Sequence, residues 1–250
     1  MGDADRAVVT ADPWRDLTLF ALGPGLLASA IAWLYAEGPW PVPFAPQALF
    51  YQPQMFGPVL ALGALGVWLS SRAGLPSAPA FVDRARWLRL VGYSVALGLV
   101  FAAISMGLDR AAGLARIGAQ ALGTASINVP FPASLAHYAF GSVIQECEMR
   151  LAPIPILLWL ISTVMLRGRG QLRVFWVLAV LTSALEPLGQ GMTLAARAPV
   201  LALVVGGVEF AGNLVWSELF RRYGWLSPLL VRLAMELAWH VAWPLAGGGG

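Results

Sequence analysis

The sequence predicts an all-α, polytopic membrane bundle, and three observations carry that prediction. The 250 residues are 58% hydrophobic and only 12% charged, about half the charge of an ordinary soluble domain. The mean hydropathy is +0.71. Apolar stretches long enough to cross a bilayer as helices, about 20 residues each, recur along the chain and leave no gap that would hold a soluble domain.

In order, the expected crossings are 17–36, 55–71, 88–108, 134–165, 174–190, 199–220 and 226–244. The fourth is too long for one straight crossing. Pro153 and Pro155, each lacking a backbone donor, are expected to kink or break it, so the count is seven, or eight if it splits. Residues 1–16 read as a cytoplasmic tail and 17–246 as a single transmembrane domain. The closing Gly247 to Gly250 is set aside as a tail. Residues 111–126 are mildly amphipathic and suit a short helix along the outer interface. No internal repeat is visible.

Orientation follows from arginine. All sixteen basic residues are Arg, a composition that hints at a GC-rich bacterial genome and hence an inner membrane. With the N-terminus inside, eleven of them fall in cytoplasmic segments: Arg6, Arg15, Arg72, Arg84, Arg86, Arg89, Arg167, Arg169, Arg173, Arg221 and Arg222. Three (Arg110, Arg116, Arg197) fall outside. This asymmetry predicts N-in, C-out with an odd number of crossings, and it places the Pro- and aromatic-rich 40–54 on the outer side. Trp14, Trp40, Trp87, Trp225 and Trp243 sit at span ends, where the ring suits the headgroup layer.

Other classes are excluded or disfavoured. No basic stretch is interleaved with exposed aromatics, so nucleic acid is not an expected partner. The lone Cys147 rules out an internal disulfide and a cysteine zinc site. The N-terminus lacks a basic n-region and the myristoylation pattern, so the first apolar stretch is expected to remain as an anchor. No cofactor is implied.

The informative residues are charges inside apolar spans: Glu146, Arg150, Glu186, Glu209, Arg232 and Glu236, with His240 behind them. Each costs roughly 2.5–3.5 kcal/mol at the bilayer centre on insertion scales, so they must satisfy one another or be used. Glu146 and Arg150 are spaced i, i+4 and share a helix face, while Glu148 points elsewhere. Arg232, Glu236 and His240 form one stripe on the last span. Glu186 precedes Pro187, with Gln190 a turn on, and Glu209 and Asn213 share a face of the sixth span, read as an interhelical hydrogen-bonding pair. Polar faces on four spans imply one interior cluster.

These positions resemble a family. Gln145-Glu146-Cys147-Glu148-Met149-Arg150, and the run from Gly212-Asn213 through Arg221-Arg222-Tyr223-Gly224-Trp225-Leu226-Ser227-Pro228 to Arg232, look like parts of the CPBP intramembrane proteases, which include the CAAX prenyl endopeptidases and Abi-type proteins. The resemblance covers roughly 134–243. It implies a helical core with three motifs: Glu-Glu-x-x-x-Arg, Phe-x-x-x-His and His-x-x-x-Asn. In that family the first Glu activates a water, helped by the two His, and the Asn holds an oxyanion. Here Gln145 replaces the first Glu, whereas Glu146 and Arg150 are kept. Glu186 falls at the second motif's His, Arg232 at the third motif's His and Glu236 at its Asn. Gln145 is no base and Arg232 cannot shuttle protons, so the family's reaction is not expected.

Four readings follow. The first is a buried polar network of Glu146, Glu186, Glu236, Arg150 and Arg232, with the chain serving as a structural or assembly partner of other membrane proteins. A second is an endopeptidase using Glu146 or Glu186 as base, His240 as shuttle and an arginine for the oxyanion. A third, a metal site of Glu146, Glu186, Glu236 and His240, lacks His-Glu-x-x-His spacing and places two arginines against a dication. The fourth is a proton path. His137 is expected to pack rather than join the cluster, Glu218 to pair with Arg221 and Arg222, and Gly57, Gly63, Gly66, Gly206, Gly207 and Gly212 to allow close helix contact.

Overall fold

The computed structural model describes residues 12–37, 50–79 and 83–249. Trp40, Arg6 and most of the 40–54 segment lie outside them. The described residues form helices and turns with no strand. Six helices are long and apolar enough to cross a membrane: α1 (Pro13–Ala36), α2 (Pro53–Ser70), α3 (Arg84–Ala112), α5 (Ala133–Met165), α6 (Gln171–Ala195) and α7 (Pro199–Tyr223). The short α4 (Leu114–Leu122) follows α3. The expected seventh crossing is helical throughout 226–245 as α8, but its polar stripe leaves it outside these six.

Helix ends have local causes. Asp12 caps α1 by accepting from the backbone of Trp14 and Arg15, with Pro13 at the first position, where a missing N–H costs nothing. Asp83 caps α3 through the Arg86 N–H at 3.0 Å. Gly224, at φ 86°, turns the chain between α7 and α8, and a Cβ there would lie 2.4 Å from the Pro76 carbonyl oxygen.

The fourth expected crossing is one helical stretch of 33 residues, α5, with a turn at Ala152 just before Pro153. It contains wide turns at Cys147–Leu151 and Trp159–Met165. The Ala152 N–H reaches back five residues to the Cys147 carbonyl at 3.0 Å. Pro153 opens the next helical segment, so its ring meets a turn already widened. Such π-turns concentrate at functional sites, and this one holds Arg150.

Small residues set the packing within the chain. A Cβ on Gly66 would fall 1.7 Å from the Leu151 carbonyl oxygen, and one on Gly63 2.4 Å from Cys147 Sγ, so α2 is pressed against the α5 π-turn. A Cβ on Gly212 would lie 2.7 Å from the Phe101 ring, bringing α7 to α3, whereas Gly57 and Gly207 have nothing within 4 Å. In the resulting bundle α5 packs against α1, α2, α6 and α8, α6 forms a hairpin with α7, and α3 lies along α8.

Three expectations change. Trp225 is 2% exposed and packs edge-on against Phe20, so it belongs to the core rather than an interfacial belt. The first helix begins at Pro13, not Leu17, and its Asp16 is buried, accepting from the Ala78 N–H. Within the tail, Gly249 is docked: its N–H donates to Asp109 Oδ2 at 3.1 Å, beside Trp243 Nε1 at 2.9 Å.

Candidate functional site

The intramembrane charges converge. Glu146 is 0% exposed, Arg150 1% and Arg232 0%. From one turn along α5, Arg150 Nη1 donates to both oxygens of Glu146, at 2.8 and 3.0 Å. From α8, Arg232 Nε donates to Glu146 Oε1 at 2.6 Å. Its Nη1 and Nη2 grip Glu186 on α6 at 2.9 and 2.8 Å, a bidentate fork that adds geometric specificity to the charge. Arg232 Nη1 also reaches Gln145 Oε1 at 2.9 Å. Thus Gln145, Glu146, Arg150, Glu186 and Arg232, drawn from three helices, form one network.

Asn213 on α7 closes it. Its Oδ1 accepts from Arg150 Nη2, and its Nδ2 donates to Glu186 Oε2 at 3.3 Å. Beneath both guanidiniums lies the Trp216 ring, 5.1 Å from Arg150 and 5.0 Å from Arg232, within cation–π range. Sequence reasoning missed Trp216 in this role. Its spacing three residues after Asn213 places it on the same face and was the available signal.

Glu236 and His240 hold the edge of the cluster. Glu236 is 8% exposed, yet it stands 3.9 Å from Arg232 and 3.5 Å from His240 Nε2. His240 Nδ1 pairs with Asn128 Oδ1 at 2.7 Å, and its ring stacks on Tyr138. Asn128, on the connection between α4 and α5, carried no sequence signal. The π-turn Leu237–Ala242 begins directly after Glu236 and contains His240.

The Glu209–Asn213 pair is corrected. Asn213 makes interhelical bonds as expected, but Glu209 Oε2 is buried with no hydrogen-bond partner. His137 packs as expected, bonding Tyr51 and meeting the Tyr138 ring edge-on. Glu218 pairs with Arg221 at 2.7 Å and Arg222 at 2.5 Å. Glu148 is exposed on the far side of α5.

A cavity of about 370 Å³ opens beside the network. Glu186, Glu209, Glu236, Gln145 and His240 line it, but Glu146 and the two arginines do not. Among the described residues no group of three His, Cys, Asp or Glu is placed to hold a metal ion.

No family model, no curated protein and no solved structure matches this chain. Fold and site define its class: an integral membrane protein, all-α and polytopic, with a charged network inside the bundle.

Proposed function

We propose that this chain is a remodelled CPBP-like bundle that acts as a structural or assembly subunit of a membrane protein complex. The observation that carries the reading is the capture of Glu146 by Arg150 and Arg232. The water-activating position of the resemblance is Gln145, and the motif carboxylate that remains, Glu146, is fully buried and bonded to two guanidiniums. The positions matched to the three motifs, Gln145, Glu146, Arg150, Glu186, Arg232 and Glu236, meet in one place although they come from three helices. That convergence is what a shared ancestral site would leave behind. Such networks, when every member is partnered, can fix how helices pack rather than add stability.

The run 226–245 packs inside the same bundle, along α3 and against α5 and α7. Counted as a crossing, it gives seven, with the N-terminus in the cytoplasm and the C-terminus outside, in a bacterial inner membrane. The competing endopeptidase reading needs Glu146 or Glu186 as a base. Glu146 does not line the cavity, and Glu186 is gripped by Arg232.

The test is extraction from the native membrane in mild detergent, followed by the mass and composition of what travels with the chain. A stable, stoichiometric complex is the expected result. A lone monomer, combined with cleavage of a membrane-embedded substrate that Glu146→Gln abolishes, would overturn the assignment in favour of the endopeptidase.

A further inference from the structure

The cavity beside the network differs in kind from the network itself. Its floor, where α5, α6, α7 and α8 meet, is lined by Gln145, Glu186, Asn213 and Glu236. From Glu186 it follows α6 to Leu194, eight residues or about 12 Å along the axis. There Leu108, Leu114, Leu194 and Val205 make the walls apolar, and Leu122 beside them is exposed on the surface. The space is therefore amphipathic along its length: carboxylates at one end, an aliphatic neck at the other.

The charges facing it do not balance. Arg150 and Arg232 are the cations of the cluster, and they are taken up by Glu146, Glu186 and Asn213. That leaves two carboxylates on the cavity wall. Glu209 Oε2 is buried and unpartnered. Glu236, more than nine-tenths buried, has only its long contacts to Arg232 and His240. Burying an unpaired charge costs several kcal/mol even after relaxation, so a positive group placed between these carboxylates would relieve both. Trp239 and Tyr138, also on the wall, add aromatic rings that suit a cation.

We propose that the cavity binds a single-chain amphiphile with a positively charged amine head, seated between Glu209 and Glu236, with its aliphatic tail in the Leu194–Val205 neck. The volume lies within the range of small-molecule sites, about 300–1,000 Å³. The carboxylates are spread along the wall rather than gathered for a metal ion, a spacing that fits an organic cation. A zwitterionic phospholipid is disfavoured because its phosphate would face the same carboxylates. The inference stands on the cavity and its charge, not on the assembly role.

Native mass spectrometry of the full chain in a neutral detergent tests it, with decylamine, decanol and decanoic acid as probes. Decylamine should give a saturable one-to-one adduct at least ten-fold tighter than either of the others. Glu209→Gln combined with Glu236→Gln should remove that preference and leave decanol binding unchanged, whereas Glu218→Gln, remote from the cavity, should change nothing. Should the double variant not fold, Val205→Trp fills the neck and should abolish decylamine binding with the carboxylates intact. An amine adduct already present after extraction would place the source in the bilayer; an empty protein that takes up added decylamine would place it among soluble amines. Equal binding of the three probes, or an amine preference that survives the double variant or Val205→Trp, overturns the proposal.

Discussion

Glu146 and Glu209 are the same residue type at membrane depth in the same bundle, yet their surroundings are opposite. Glu146 has two guanidiniums within 3 Å and no exposed surface. Glu209 sits on a cavity wall with one oxygen buried and unpartnered. What separates them is the facing helix: α8 presents Arg232 to α5, where it bonds Glu146, whereas no donor reaches Glu209 Oε2. A buried carboxylate is thus a packing element where the bundle supplies a partner, and an unmet demand where it does not.

The largest test of that contrast is Arg232→Leu, which strips Glu146 of one partner and Glu186 of both ion-pair bonds. Removing one side of a buried pair costs about 3–5 kcal/mol, and unfolding in detergent with increasing denaturant should show a loss of that order. A loss within the noise would mean that the network contributes little to the fold. Next comes Gly66→Ala, which drives a methyl group into the Leu151 carbonyl and displaces the π-turn that presents Arg150. Overpacking of this kind costs about 1–3 kcal/mol, and Gly57→Ala, with no neighbour within 4 Å, should cost nothing by the same assay.

On the open side, Glu209→Gln should leave stability unchanged or raise it by up to about 1 kcal/mol, since it replaces a partly buried carboxylate whose Oε2 bonds nothing. A loss as large as that from Arg232→Leu would show that Glu209 has a partner in the membrane and would erase the comparison. A small loss is expected from Glu218→Gln. Its arginine partners are partly solvent-accessible, and such pairs contribute at most about 0.5–1 kcal/mol.

Part of this arrangement was legible along the chain. The i, i+4 spacing of Glu146 and Arg150 predicts their pairing, because one helical turn brings both to the same face. The polar faces of four spans predict an interior cluster for the same reason: lipid would expel them. Other features were not. The π-turns at Cys147–Leu151 and Leu237–Ala242 shift every face that follows them, and no local residue preference announces them. Trp225 looked interfacial from its place at a span end and proved to be core because Phe20, two hundred residues away, packs against it.

The sequence by itself determined that this is an all-α membrane bundle, where most of its helices lie, and that its intramembrane charges must gather, because hydropathy, helical period and the cost of charge in lipid are local or compositional properties. Only the tertiary structure decided which carboxylates the two arginines take, that Asn213 and Trp216 complete their cage, and that Glu209 and Glu236 are left facing a cavity. Those outcomes depend on how each helix is rotated and how closely its glycines let the next one approach. They are relations between segments far apart in the chain, and no single segment encodes them.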